Sequence, residues 1–228
     1  MAGIQSKWCI AKSTGKRKER KTKAIIMSGK EQVNMLLFNK WDTRLIEIVD
    51  EGLKNVIQLH PSMTIPVTFG RHEHQRLKKA EVNIIERLAN KLMHFGKRYA
   101  KNTGRMGGKK IKVMNVVKTA LEIISIETGK NPVELLIRAI ENAAPNEDTT
   151  RIVYGGVVYH VSVDVSPLRR VDLALRFIAE GVRESTYSSP QAMEEVLAKE
   201  ILLASENDMN SYAIKKKNEQ ERIAMSSR

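Results

Sequence analysis

From Lys79 onward, apolar residues return every three or four positions, the spacing of one helix face. Ile84, Ile85, Leu88, Leu92 and Phe95 form one such series. Ile111, Met114, Val117, Leu121 and Ile124 form a second, which Gly129 closes. Later helix starts share one grammar. "NPVE" puts Asn131 at the cap, Pro132 at the first helical position and Glu134 where a capping-box acid sits. "SPLRR" uses Ser166 and Pro167 in the same way, and "SPQAMEE" uses Ser189 and Pro190. The spacing predicts final helices over 168–187, 190–205 and 209–225.

Before "SPLRR" the period switches to two. The stretch "TRIVYGGVVYHVSVDVSPLRR", from Thr150 to Arg170, holds two β-branched runs around a turn at Tyr154, Gly155, Gly156 and Val157. Paired glycines allow positive φ at both central positions of a tight hairpin turn. Beyond it, Val161, Val163 and Val165 alternate with Ser162, Asp164 and Ser166, giving one apolar and one polar face. A lone two-stranded ribbon is marginal in water, so it must lean on the helices or be held by a ligand. The expected fold class is therefore mainly α: a helical-bundle domain with a protruding two-stranded β-hairpin between helices. There is no internal repeat.

Three regions are expected. Residues 1–30, with "KSTGKRKERKTK", have little to bury and read as a basic, disordered arm. A nuclear-import signal and a merely solvated tail are the other readings of that arm. Residues 31–70 form an extension with short helical pieces and a linker at "PSMTIP", Pro61 to Pro66. Residues 71–228 form the helical domain, with the hairpin at 150–165.

The chain has 228 residues and a formal net charge of +13. The location of that charge says more than its size. Residues 1–30 carry nine Lys/Arg against one acid, residues 71–118 carry fourteen against three, and the remainder is net acidic. A clustered excess is what a polyanionic partner selects, because neutralising phosphates releases counterions. The single cysteine, Cys9, excludes an internal disulfide framework and a cysteine-based zinc cluster. Apolar runs such as "AIIM" and "MLLF" are too short to span a bilayer, and the start lacks a secretory apolar stretch. The expected setting is intracellular and reducing, with no membrane association.

Enzyme chemistry finds little support. His160, Ser162, Asp164 and Ser166 alternate along one strand face, in a row rather than converging on a reacting atom. "RHEHQ" offers His72 and His74, with His94 further on, a weak metal signal without a convincing third ligand. "TGRMGGKK" lacks the Gly-Lys-Ser/Thr order of a P-loop, since Ile111 follows Lys110. No catalytic residue, metal or cofactor is expected.

A nucleic-acid surface is better supported. Arg71, Arg76, Lys78 and Lys79 precede the first long helix. Lys97, Arg98, Lys101, Arg105, Lys109, Lys110 and Lys112 crowd the loop that follows it. Arg169, Arg170, Arg176 and Arg183 run along the "SPLRR" helix, interrupted by Asp172 and Glu180, so some are ordinary surface pairs. Cysteine count excludes zinc fingers, and few aromatics argue against a single-strand stacking platform. Structured RNA, read by shape and phosphates, fits best.

The segments "ENAAPNEDTTRIVYGGVVYHVSVDVSPLRRVDLALRFIAEG", "NKLMHFGKRYAKNTGRMGGKKIKVMNVVKTALEIISIETGKNPVELLIRAI" and "SYAIKKKNEQERIAMSSR" resemble small-subunit ribosomal protein seven, called protein five in eukaryotes. The likeness covers residues 71–228 and is closest to the archaeal and eukaryotic branch; the loop from Phe95 to Lys112 looks archaeal. It implies a cytoplasmic, ribosomal protein that binds the 3′ major domain of small-subunit rRNA and nucleates head assembly. Partners would be that rRNA and neighbouring small-subunit proteins, with exit-site tRNA and mRNA nearby and no homo-oligomer. By that likeness Lys97, Arg98, Lys109, Lys110, Arg169 and Arg170 would meet rRNA, and the basic clusters add Arg76, Lys78, Lys79, Lys101, Arg105, Lys112 and Arg176 as expected rRNA ligands. Tyr154, Gly155, Gly156 and Val157 would form the finger tip near tRNA and mRNA, with Lys215, Lys216, Lys217 and Arg228 beside that path. The alternative of another class is a free regulatory RNA-binding protein.

Overall fold

The computed structural model describes residues 36–59, 63–93 and 106–228. The expected arm at 1–30, Pro61 of the expected linker, and His94, Lys97, Arg98, Lys101 and Arg105 lie outside the described residues. Seven α-helices are described: α1 (Glu51–Lys54), α2 (Ile84–Leu92), α3 (Lys110–Thr128), α4 (Pro132–Ala143), α5 (Pro167–Thr186), α6 (Met193–Ser205) and α7 (Tyr212–Ser226). A 3-10 turn spans Lys78–Glu81. One antiparallel pair, β1 (Glu147–Tyr154) and β2 (Val157–Asp164), is inserted between α4 and α5. The mainly α architecture with a hairpin between helices is as the periodicity predicted.

Helix α3 packs against α2, α4 and α6, while α5 packs against α2, α4, α6 and α7. Having neighbours on several sides, α3 buries a wide arc: Val113, Val116 and Ala120 as well as Met114, Val117, Leu121 and Ile124. The spacing also placed Ile111 in that face, but it is 81% exposed and lines an open groove instead. The core does not stop at position 71. Leu37, Phe38, Trp41, Leu53, Ile57 and Leu59 belong to the same apolar cluster as the long helices. Of residues 36–59, only Glu51–Lys54 is helical; the rest is turns and irregular chain.

The helix starts follow local chemistry in part: Pro167 opens α5 after Ser166, but the Ser166 side chain makes no capping bond, and two later helices start further on than the spacing placed them. Asn131 Oδ1 accepts from the Val133 N–H at 3.1 Å, and Pro132 opens α4 as expected. Glu134 pairs loosely with Arg138 at 3.8 Å. Helix α6 begins at Met193 rather than Pro190, because Ser188 takes φ +58° and the Ser189 hydroxyl accepts from the Gln191 N–H at 3.3 Å. The chain is still turning there, and burial of Met193, Val196 and Leu197 sets where the helix begins. Helix α7 begins at Tyr212 rather than 209, because Ser211 is its cap, accepting from the Ile214 N–H at 3.4 Å.

That cap is built on a buried acid. Glu200 of α6 accepts from the Ser211 hydroxyl at 2.8 Å and the Ala213 N–H at 3.0 Å. The chain passes so close to α5 here that a Cβ on Gly181 would lie 2.8 Å from the Tyr212 Cβ, so only glycine fits. Glu200→Ala leaves the buried hydroxyl and N–H unsatisfied and is expected to cost about 1–3 kcal/mol in chemical denaturation, with Glu200→Gln costing less.

Candidate nucleic-acid interface

The ribbon pairs Glu147 with Asp164 through to Tyr154 with Val157, eight residues on each strand. At the usual rise it reaches about 27 Å. Gly155 and Gly156 take φ +57° and +81°, which closes the two-residue turn. Alternation puts Ile152, Tyr154, Val157, Tyr159, Val161 and Val163 on one face. These side chains are 38–79% exposed, so of the two expectations, leaning on the helices or being held by a ligand, packing on the helices leaves this face largely open. On the other face, His160 opposes Arg151 and Ser162 opposes Thr149. The Ser162 hydroxyl donates to Glu147 at 3.2 Å.

Among the described residues, hydrogen bonds and ion pairs from outside the ribbon reach its base alone. The Asn146 N–H donates to Glu221 of α7 at 3.0 Å, and the Val165 N–H donates to the Asn146 carbonyl at 2.9 Å. Arg228 bonds Glu147, and Arg169 pairs with Asp148 at 2.9 Å. Burial pushes the Asp148 carboxyl up, but bonds from Gln220, Arg169 and the Thr149 N–H, with the Arg169 charge, hold it below the usual carboxylate range. The ribbon is thus a finger clamped at its root by α7 and by the first turn of α5.

The expected RNA ligands divide by environment. Arg76, Lys109, Lys112 and Lys215 are exposed, and no ion pair engages them among the described residues. Lys78 is half-buried, also without an ion pair among the described residues. The others are engaged within the fold. Arg170 is only 15% exposed and pairs with Asp50 at 2.9 Å, so it faces inward, unlike its neighbour Arg169. Lys79 donates to Asp172 at 2.8 Å, and Arg176 pairs with Glu180 at 2.9 Å. Lys216 bonds Glu219 at 2.6 Å, Lys217 donates to the Asn142 carbonyl at 2.9 Å, and Arg228 is tied to Glu147.

Lys110 bonds Glu86, a buried acid of α2 that also accepts from the Thr68 N–H at 3.0 Å and the Thr68 hydroxyl at 2.9 Å. This junction fixes the start of α3 beside residues 63–70. Between them lies an open groove of about 1250 Å³ with Ile65, Phe69 and Ile111 on its walls and Lys109, Lys112 and Lys118 along one rim. Apolar walls beside unpaired lysines suit a ligand with both flat and phosphate-bearing parts. His72 lies 3.4 Å from the Thr68 hydroxyl through Nδ1. Among the described residues, no three His, Cys, Asp or Glu side chains stand together where they could hold a metal ion.

Two cations that sequence spacing did not single out stand beside Asp172 of α5. Arg87 of α2 is 1% exposed; it donates to the Val56 carbonyl at 3.0 Å and to Asp172 at 3.3 Å. One turn later, Lys91 stands half-buried beside the same acid. The signal was present: both cations fall on the edge of the stripe made by Ile84, Leu88 and Leu92, where a solvated residue is not expected.

A model of the family described as "Ribosomal protein S7p/S5e" matches residues 58–228. This chain belongs to the ribosomal protein S7p/S5e family. Small ribosomal subunit protein uS7 of Cenarchaeum symbiosum is 64% identical over 198 residues, covering 87% of this chain and 99% of that protein. The uS7 of Methanosphaera stadtmanae is 45% identical over 190 residues, covering 83% and 97%. The S7p/S5e chain therefore falls in the archaeal branch, as its long glycine- and lysine-rich loop implied. The family is a structural, ribosomal kind rather than an enzymatic one. The match begins at residue 58, ahead of the resemblance seen in the sequence, consistent with Leu59 lying in the core.

Proposed function

We propose that this S7p/S5e chain is a structural component of the small subunit of the cytoplasmic ribosome. It binds the 3′ major domain of small-subunit rRNA, nucleates assembly of the head beside neighbouring small-subunit proteins, and extends its ribbon toward exit-site tRNA and the mRNA exit path. The observation that carries this reading is a division of labour. Exposed cations lie on the helical body, at Arg76, Lys109 and Lys112, whereas the outer ribbon is apolar and uncharged and, among the described residues, is bonded to the body only at its root. The body has the groups that grip phosphates; the finger has the shape to reach past them.

The test uses the full chain and a shortened ribbon in which Asn-Gly replaces Val153–Val158, joining Ile152 and Tyr159, a pair two steps from the native turn and of the same hydrogen-bonding parity, by a two-residue turn. Each is titrated against the 3′ major domain and an unrelated structured RNA of equal length, at several salt concentrations. The full chain is expected to prefer the cognate domain beyond moderate salt. Because the removed segment carries no cation, the shortened chain is expected to bind that domain within about a factor of two. Reconstituted subunits carrying it would lose contacts to exit-site tRNA. Equal binding to both RNAs that collapses with salt would overturn the reading, and a large affinity loss on shortening would overturn the division of labour.

A further inference from the structure

We propose that the cleft between α2 and the first turns of α5 seats one phosphate group of the bound RNA backbone, with the Lys91 ammonium as its main ligand. The inference rests on the RNA-binding reading above and names a contact within it. Lys91, in the last turn of α2, lines two adjoining cavities. One, of about 230 Å³, is also lined by His72, Lys79 and Arg87. The other, of about 660 Å³, opens beside Arg169, Asp172 and Arg176.

The charges around Lys91 do not balance. Among the described residues, Asp172 is the one acid on either cavity wall, and it is already shared by Lys79 at 2.8 Å and Arg87 at 3.3 Å. Arg169 is held by Asp148 and Arg176 by Glu180. Lys91 makes no hydrogen bond or close ion pair among the described residues. Burial holds its ammonium below the usual lysine range; Asp172 opposes that, while Lys79, Arg176 and Arg87 reinforce it. A half-buried ammonium among other cations is costly to leave unpaired. A phosphate supplies the missing negative charge and several acceptor oxygens, and Lys79 at 39% side-chain exposure is open enough to share it.

A purely structural lysine would instead pack its stem and keep its head in water. Lys91→Met separates the two roles, because it keeps the stem and removes the charge. Full-length wild type, Lys91→Met and a control, Lys130→Met, at an exposed lysine in the α3–α4 connection, are titrated with the 3′ major domain and the unrelated RNA across a salt series. Lys91→Met is expected to bind about five- to tenfold more weakly near physiological salt, with a salt slope lower by about one unit, on whichever RNA fills the seat. Its Tm should stay level or rise, since an uncompensated charge has been removed. Lys130→Met should leave affinity and slope unchanged. An unchanged slope in Lys91→Met, with wild type still preferring the cognate domain, would overturn the seat and leave the rRNA reading standing. A lower slope with no cognate preference in wild type would keep the seat and overturn that reading. A Tm rise in millimolar inorganic phosphate that Lys91→Met loses, together with an unchanged RNA slope, would give the seat to a free anion and overturn its assignment to RNA.

Discussion

Arg87→Ala is expected to destabilise the protein by about 3–5 kcal/mol, the largest loss for any single polar side chain described above. Three pieces of chain meet at this guanidinium. It extends from α2, donates to the Val56 carbonyl in the segment after α1, and donates to Asp172 on α5. Truncation opens a cavity where a 1%-exposed side chain stood, strands a carbonyl, and removes one of the two cations bonded to Asp172. Arg87→Met refills most of the volume without the bonds, so its loss should be smaller, about 1–2 kcal/mol. Urea denaturation at neutral pH measures both. The acid limb gives an independent check. Burial pushes Asp172 up, yet its bond to Lys79 and the charges of Lys79, Arg87 and Lys91 hold it below the usual carboxylate range. A depressed folded pKa gives stability that is present above the unfolded pKa and lost as pH falls through the folded one. Removing Arg87 moves the folded pKa back toward that of an ordinary carboxylate, so the variant's stability should fall less steeply between neutral and strongly acid pH. Equal stability of Arg87→Ala and wild type would show that the α2–α5 junction is held by apolar packing alone.

The same cluster shows what the sequence could and could not disclose. Helix identity was legible because it depends on local spacing: Asn131 and Pro132 start α4 where their chemistry says. The start of α6 was not, because positive φ at Ser188 and burial of Met193 override the Ser-Pro signal. The hairpin turn was legible from two glycines. Which face of the ribbon would pack was not, since in the fold the root is held by Glu221, Arg169 and Arg228, far from the turn in sequence. Basic residues could be found by counting, but not sorted. Adjacent Arg169 and Arg170 read alike in the sequence, yet one faces the ribbon root and the other is half-buried against Asp50. Sorting them needs the acids that only tertiary structure brings near.

That sorting leads to the second large expected effect. Lys109, Lys110 and Lys112 stand at the start of α3, whose first turn contains no acid. The partial positive charge of a helix N-terminus disfavours cations by about 0.3–1 kcal/mol each, so these lysines work against the helix they open. Lys110 is compensated by buried Glu86. Lys109 and Lys112 are exposed and have no such partner among the described residues. Residues placed against the local electrostatics, on the rim of a groove, are explained by a ligand that supplies the opposite charge. The double variant Lys109→Gln, Lys112→Gln is therefore expected to lose about thirtyfold in affinity for the 3′ major domain near physiological salt, with a salt slope lower by about two units. Its Tm should hold level or rise slightly, because the helix loses two misplaced charges. Lys110→Gln should behave differently, lowering Tm as Glu86 loses its partner. If the double variant instead loses Tm and keeps its RNA affinity, the two lysines serve the fold and the groove rim is not where RNA binds.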